Sequence, residues 1–194
     1  MNRTLLSFIF LTAFLFGGMP SVSVLAASPG SGDEFTLNAI GDVQVGDDEE
    51  LSYAVRSLWP MLQNQPSTSL NLFLGDLVNN NVELYLELSR LISLLPSHNY
   101  AVVGNHDRIP LLANPTDWDS ARVVQTEPFR KAFGPDYYSF DYQRLHVIVL
   151  NNVLAKGKRG YTGAITRRQL DFVADDLRKV KKNRRILLAM HIPL

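Results

Sequence analysis

Residues 69–76 read SLNLFLGD and residues 100–107 read YAVVGNHD, so an apolar run ends twice in a glycine-led polar turn. Apolar runs of this length predict buried β-strands. Between them, Asn80 to Leu95 carries an Asn cap and a stripe of leucines before Pro96, which predicts a helix. A strand, a helix and a strand in this order predict a parallel βαβ crossover, and both polar turns then lie at one edge of the sheet.

Three further apolar runs also end in polar residues: Phe35 to Ile40 before GDVQ, Leu145 to Leu150 before Asn151-Asn152, and Arg185 to Met190 before His191. Open α/β sheets bind ligands at the carboxyl edge of their strands. We therefore expect five side chains to converge on one site, namely Asp42, Asp76, Asn105, His106 and His191. Asn151 lies at the same edge, where it either lines the site or has a structural role.

The remaining segments predict two more long helices, a short helix, a hairpin and two loops. The helices are predicted over Asp47 to Gln63 with a kink or early end at Pro60, over Glu127 to Phe133 and over Thr166 to Val180. The hairpin pairs Tyr137 to Tyr142 with Leu145 to Leu150 about Gln143-Arg144, and the loops are Pro110 to Asp119 and Lys156 to Gly163. Strands that alternate with helices favour an α/β fold with parallel units and an added antiparallel hairpin.

The side chains at these strand ends are carboxylates, amides and imidazoles, which are ligands for hard and borderline divalent ions. Asp42 and Gln44 are two residues apart in an extended stretch, so both can face one ion. Asp76 can bridge two ions because a carboxylate has two oxygens, and Asn105 with His191 can hold the second ion. The sequence therefore predicts a metal site at this edge of the sheet.

With these blocks in order, the chain resembles the calcineurin-like metallophosphoesterases, a superfamily marked by D-x-H, G-D, G-N-H-D/E, a lone His after a strand and G-H-x-H. The matching blocks are Asp42-Val43-Gln44, Gly75-Asp76, Gly104-Asn105-His106-Asp107 and His191. The resemblance covers Phe35 to Leu194. It implies an α/β fold in which a mixed β-sheet sandwich is flanked by helices in four α/β/β/α layers, incomplete at the C-terminus.

The resemblance also implies a reaction, the hydrolysis of phosphate esters. Two divalent or trivalent metal ions, drawn from Mn, Fe, Zn or Mg, would activate a bridging hydroxide that attacks the phosphorus of a small phosphorylated substrate. His106 would protonate the leaving oxygen or steady the phosphate, and Asp107 would orient His106.

Two features depart from the family pattern. Gln44 replaces the His of D-x-H, and because an amide oxygen is a weaker ligand than imidazole for zinc or iron, this change favours manganese or magnesium. No G-H-x-H follows His191 before Leu194, so we expect a C-terminally truncated domain. The alternative is a catalytically silent fragment or binding module of the same fold. A serine-dependent α/β hydrolase is disfavoured because the sequence contains no G-x-S-x-G.

The N-terminus carries the pattern of a secretory signal peptide. A basic start at Arg3 precedes an apolar run from Leu5 to Phe16, and small or β-branched residues lead up to Ala26. We expect cleavage after Ala26, a flexible lead-in over residues 27–34, the metallophosphoesterase domain over residues 35–194, and a secreted or periplasmic protein without a membrane span. An uncleaved N-terminal anchor is the alternative.

Composition excludes several other classes of protein. Of the 194 residues, 46% are hydrophobic, which is enough for a sizeable core, and the formal net charge is zero. A neutral chain lacks the basic surplus of a nucleic-acid platform. The chain has no cysteine, which excludes disulfides, thiol catalysis and Cys-ligated zinc. His98 in a polar turn and His146 inside a strand are expected to be structural.

Overall fold

The computed structural model describes residues 8–11, 21–26, 35–67, 69–107, 126–156 and 160–193. The strands in these ranges are β1 (Phe8–Leu11), β2 (Ser21–Ala26), β3 (Thr36–Gly41), β4 (Leu70–Phe73), β5 (His98–Ala101), β6 (Tyr138–Tyr142), β7 (Leu145–Val149), β8 (Val153–Lys156), β9 (Gly160–Gly163) and β10 (Arg185–Ala189). The helices are α1 (Asp48–Ser57), α2 (Trp59–Gln63), α3 (Tyr85–Ser93), α4 (Glu127–Phe133) and α5 (Arg167–Leu177), and a 3-10 turn over Val82–Leu84 precedes α3.

Two four-stranded sheets form the centre of the fold. The first has the order β2-β3-β4-β5, in which β3, β4 and β5 are parallel and β2 is antiparallel. The second has the order β1-β10-β7-β6, in which β1, β10 and β7 are parallel. Its antiparallel member, β6, forms with β7 the hairpin that the sequence predicts about Gln143-Arg144. The parallel units and the added hairpin are thus confirmed.

Helices cover the outer faces of both sheets. Leu72 of β4 and Val147 of β7 belong to an apolar cluster between the sheets. Phe73, the next residue in β4, belongs instead to a cluster that includes residues of α1 to α4. Ile148 of β7 is likewise packed against Phe172 of α5. Since side chains alternate along a strand, these clusters define four layers in the order α/β/β/α, which confirms the predicted fold class.

A row of three amides, two buried and one half-buried, sets the register of β3, β4 and β5. Asn38, Asn71 and Asn99 are aligned across the three strands. Asn38 Nδ2 donates to Asn71 Oδ1 at 2.7 Å, and Asn71 Nδ2 donates to Asn99 Oδ1 at 2.8 Å. A slip by one residue would move an amide to the opposite face and leave it buried without its partner. The alignment therefore brings the turns after all three strands to the same level.

Two long helices begin at side chains that accept from their free N–H groups. Asp47 accepts from the backbone N–H of Glu50, and Thr166 accepts from that of Gln169. Such caps satisfy donors that have no partner within the helix. The single helix predicted after Asp47 is two helices, α1 and α2, because Pro60 lies in the first turn of α2, where no backbone N–H is required.

Two element predictions need correction. The segment Lys156 to Gly163, predicted as a loop, supplies β9 and the end of β8, which pair as a hairpin. Residues 157–159, which include the glycine and basic residues that suggested a loop, lie outside the described ranges. β5 covers His98–Ala101 rather than Tyr100 to Val103, because pairing with β4 begins at His98 and ends at Ala101. The loop predicted over Pro110 to Asp119 also lies outside the described residues.

The segment predicted as a signal peptide contains the edge strands β1 and β2. β1 pairs in parallel with β10, and β2 pairs antiparallel with β3. Cleavage after Ala26 and the boundaries derived from it stay predictions. None of the helices in the described ranges has the length and apolar character needed to span a bilayer.

Candidate metal centre

The turns after β3 and β4 adopt the left-handed backbone conformation at several residues. Asp42, Gln44 and Asp76 have φ values of 56°, 50° and 52°, and Gly75 has a φ of 96°. Non-glycine residues rarely adopt this region, and such strain concentrates at functional sites. The two turns are held side by side, because Asp42 N donates to Gly75 O at 3.2 Å and Gln44 N donates to Asp76 O at 2.8 Å.

Two glycines allow the turns to approach one another closely. A Cβ atom at Gly75 would lie 2.7 Å from His191 Nδ1 and 2.8 Å from Gly104 Cα. A Cβ atom at Gly104 would overlap the backbone and carboxylate of Asp76. Because no side chain fits at either position, the glycines of the G-D and G-N-H-D blocks are required for the strand ends to converge.

The convergence predicted from sequence is present in the structure. Asp42, Asp76 and His191 each offer a ligand atom, and these atoms all lie within 4.8 Å of one another. We call these three residues the metal cluster. His191 Nε2 lies 3.4 Å from Asp76 Oδ1 and 2.9 Å from Asn105 Oδ1, so Asn105 belongs to the same site. The cluster is shielded from water, since Asp76 and His191 are 0% and 3% exposed.

The His191 ring is oriented so that Nε2 faces this cluster. Nδ1 lies 2.8 Å from the carbonyl oxygen of Leu74, which can only accept, so Nδ1 carries a proton and donates it. In the neutral ring the lone pair is then on Nε2, which faces oxygens of Asp76 and Asn105. Electron-rich atoms at these distances require a proton or a cation among them. A backbone carbonyl that fixes the tautomer in this way is typical of metal-binding histidines.

Asp42 supplies the clearest sign that a cation fits this site. Both of its carboxylate oxygens are buried, and neither has a hydrogen-bond partner among the described residues. Burial raises the pKa of Asp42, and the charge of Asp76 raises it further, while His191 and His106 act in the opposite direction. An ionised buried carboxylate without a partner is costly. A bound cation would remove that cost, so the donor set fits a divalent metal.

Gln44 and Asp76 are joined by a hydrogen bond between their side chains. Gln44 Nε2 donates to Asp76 Oδ2 at 3.3 Å, and His106 N donates to Asp76 Oδ1 at 2.8 Å. Gln44 therefore lies at the site, as the sequence predicts, but presents its NH₂ group to Asp76. Its amide would have to turn over to offer Oε1 to a cation, and its role as a ligand stays a prediction.

His106 and Asp107 have different surroundings. His106 Nδ1 lies 2.8 Å from Asn80 Nδ2. Asp107 accepts from Val78 N at 3.1 Å and from Gly104 N at 2.9 Å, so it joins the turns after β4 and β5. Burial, reinforced by the charge of Asp76, raises the pKa of Asp107 to about 7. The His106 ring thus contacts Asn80, a residue to which the sequence analysis assigned only the role of a helix cap.

Asn152, also unassigned from sequence, holds the segment that follows His191. Asn152 Nδ2 donates to Ile192 O at 2.6 Å, and Ile192 N donates to Asn152 Oδ1 at 3.1 Å. The neighbouring Asn151 instead donates to Asp136 Oδ2 at 3.1 Å, which favours the structural role for Asn151. The Asn151-Asn152 pair after a strand indicated a position near the metal cluster. Which of the two residues supports the cluster depends on the direction of each side chain, which the sequence does not give.

Comparison with known proteins agrees with this geometry. A family model described as calcineurin-like phosphoesterase matches residues 35–194, which is most of the chain. No curated protein and no solved structure matches the chain at a significant level. The family is one of phosphoester hydrolases that bind metals, in keeping with the Asp and His donors of the metal cluster. The chain belongs to the calcineurin-like phosphoesterase family.

Proposed function

We propose that the protein is a metal-dependent hydrolase of small phosphate esters with a two-cation centre. The observation that carries the proposal is Asp42, whose two buried oxygens have no hydrogen-bond partner among the described residues and face Asp76 and His191. Asp42, Gln44 and Asp76 would hold one cation, and Asp76, Asn105 and His191 would hold the other. The ions belong to the group Mn, Fe, Zn and Mg.

Bound cations would supply positive charge for the phosphoryl oxygens and a hydroxide nucleophile at neutral pH. The chain itself binds the cations and moves a proton. As the new bond to phosphorus forms, the bond to the leaving oxygen breaks and its electron pair stays on that oxygen. His106 Nε2 gives its proton to the leaving oxygen, which departs as an alcohol. The backbone N–H of His106 donates to Asp76 and so keeps this His beside the cation site.

The proposal includes export. The N-terminal pattern supports cleavage after Ala26, so that the mature secreted or periplasmic protein begins with a short lead-in over residues 27–34. N-terminal sequencing of exported protein should start at Ala27. A secreted chain that still begins at Met1 would contradict this part of the proposal without affecting the chemistry.

A second candidate is a catalytically silent member of the same fold. Gln44 favours it, because its NH₂ group donates to Asp76 Oδ2 in place of an imidazole ligand. A silent member would bind one cation or none and would not turn over phosphate esters. The two candidates therefore differ in metal content as well as in rate.

The experiment is metal analysis of the purified protein beside an aryl-phosphate assay. Asp76→Ala should abolish metal binding and turnover, while His106→Ala should keep the metal and lose most turnover. Asp171→Ala, on the exposed surface of α5, is the matched control and should change neither. Normal turnover in Asp76→Ala or His106→Ala would reject the assignment, and metal binding without turnover in the unmodified protein would favour the silent candidate.

A further inference from the structure

We propose that Gln169 of α5 is a positioning residue for the metal cluster, which it reaches through the backbone of Asn151. The inference rests on the proposed function, because the ligand that Gln169 positions is His191. It assigns a role to a residue outside the sequence blocks that predicted the site. The evidence is a series of hydrogen bonds and peptide bonds that leads from α5 to the segment carrying His191.

Gln169 is buried, which is unusual for a residue of this type. It is 3% exposed and is the buried residue of α5, a helix that the structure describes throughout. Its position three residues after the cap Thr166 matches a capping box, in which the Gln side chain would return to the backbone N–H of the cap residue. The side chain is directed instead to Asn151, just beyond the end of β7. Because a buried amide is costly without hydrogen bonds, its partners indicate what this residue does.

Gln169 satisfies both backbone polar groups of Asn151. Asn151 N donates to Gln169 Oε1 at 3.0 Å, and Gln169 Nε2 donates to Asn151 O at 2.8 Å. The ladder between β7 and β10 reaches the preceding residue, Leu150, whose N–H donates to Ala189 O at 2.9 Å. The side-chain amide of Gln169 therefore takes the place of a neighbouring strand. Without it, two buried backbone groups would lose their partners, which is costly.

Asn152 connects this fixed backbone to His191. Its side chain forms the two hydrogen bonds to the backbone of Ile192, the residue that follows His191. Asn152 can keep both bonds only while its own backbone stays in place. That backbone is held on one side by Ala164, whose N–H donates to Asn152 O at 2.9 Å, and on the other by the Gln169 bonds to the preceding residue. A shift there would therefore displace Ile192 and the adjacent His191.

The first test is titration of the full chain with Mn²⁺. Gln169→Met keeps the length of the side chain but removes both bonds to Asn151, and Mn²⁺ affinity should fall about fivefold, less than for a residue in contact with a ligand. Asp176→Asn is the matched control, because it weakens another anchor of α5, the bond to His146 at 2.7 Å. The control should stay within about twofold. Equal losses in the two variants would overturn the inference.

The second test asks whether Gln169 acts through Asn152. Gln169→Met is combined with Asn152→Ala, which by itself removes both bonds to Ile192. The double variant should bind Mn²⁺ about as tightly as Asn152→Ala alone, because the connection to Ile192 is already broken. Losses of affinity that multiply would overturn the inference, since they would show that the two residues act independently.

Hydrogen exchange of the metal-free full chain provides a test that does not depend on metal binding. In the unmodified protein the Asn151 amide should be protected about as strongly as that of Leu150. In Gln169→Met the Asn151 and Ile192 amides should both exchange about tenfold faster relative to Leu150. An unprotected Asn151 amide in the unmodified protein, or an Ile192 amide that does not respond to the substitution, would overturn the inference. If the unmodified protein binds no Mn²⁺, the proposed function fails, and the exchange rates still decide whether Gln169 positions this segment.

Discussion

Two clusters in the described part of the molecule have the same composition, two Asp and one His, but lie at different places. The metal cluster combines two carboxylates with a buried His that follows β10. A second cluster, which we call the histidine clamp, combines Asp141, Asp176 and the buried His146 of the neighbouring strand β7. Because residue composition does not distinguish the two clusters, the difference between them has to be found in their contacts.

The difference is whether the polar atoms already have partners. In the clamp, His146 Nδ1 lies 2.7 Å from Asp141 and Nε2 lies 2.7 Å from Asp176, and Arg184 lies 2.9 Å from the other oxygen of Asp141. In the metal cluster, neither carboxylate oxygen of Asp42 has a hydrogen-bond partner among the described residues. A cation would displace existing bonds in the clamp but would relieve an existing cost in the metal cluster. The comparison supports the expected structural role of His146.

The largest effect is expected where the unpartnered carboxylate is removed. Asp42→Asn should weaken metal binding about a hundredfold or more, because a neutral amide replaces an anionic ligand. The metal-free protein should become more stable by about 1 kcal/mol, since the buried charge is gone. Isothermal titration with Mn²⁺ and thermal unfolding in a chelator measure the two effects. Unchanged affinity would show that Asp42 is no ligand.

A second prediction concerns the pH dependence of the metal-free protein. The pKa of Asp107 is raised from 3.8 in the reference state to about 7 in the folded protein. The folded state therefore holds this proton more tightly, and the stability it contributes is complete below pH 4 and is lost as pH rises toward 7. The unfolding free energy should fall by up to about 1.4 kcal/mol per pH unit in this window.

Denaturant titrations of chelator-treated protein between pH 4 and 7 test this slope. Asp107→Asn removes the titrating group, so the difference between the two proteins isolates the contribution of Asp107. Equal slopes in both would contradict the raised pKa.

Much of the metal cluster could be predicted because parallel topology alone brings strand ends together. The apolar runs before Asp42, Asp76 and Asn105 identify parallel strands of one sheet, and the rule that their ends share an edge places these residues at one site. His191 follows β10 of the second sheet, so its position at the site depends on how the two sheets pack, which strand order does not give. The same reasoning placed Gln44 at the site, but the direction of its amide depends on Asp76 and could not be read from spacing.

The supporting residues could not be predicted for a related reason. Asn80 has a left-handed backbone conformation and contacts the His106 ring. Asn152 bonds to Ile192, which is forty residues away in sequence. Neither belongs to a block whose spacing carries information. The β8–β9 hairpin was missed because the stretch from Lys156 to Gly163 is polar and rich in glycine, which is the composition of a loop, while the pairing itself involves residues on both sides of this stretch's middle.

A third prediction distinguishes a residue that orients a metal ligand from a residue that is itself a ligand. Asn152→Ala removes both bonds to Ile192 and loosens the segment after His191. Metal affinity should fall about tenfold, the scale found for residues that orient a metal ligand. Titration with Mn²⁺ checks this, with Asn151→Ala as the matched neighbour, whose side chain bonds to Asp136. Equal losses in the two variants would mean that the effect is general destabilisation.

The smallest effect, and the most direct test of the comparison, is expected in the clamp. Asp176→Asn makes the same chemical change as Asp42→Asn, but the side chain replaced already has a partner in His146 at 2.7 Å. Because a neutral amide forms a weaker hydrogen bond than a charged carboxylate, the unfolding free energy should fall by about 1 kcal/mol. Mn²⁺ affinity should stay within about twofold, because the clamp lies outside the metal cluster.

The paired Asn variants should therefore change stability in opposite directions when metal is absent. Asp42→Asn removes a carboxylate that has no hydrogen-bond partner within the described part of the chain, and Asp176→Asn removes a carboxylate that joins α5 to His146 of β7. Denaturant unfolding of both proteins in chelator measures the sign of each change. Loss of metal binding in Asp176→Asn, as in Asp42→Asn, would show that the presence of hydrogen-bond partners does not distinguish the two clusters. His146 would then have to be counted among the residues that support metal binding.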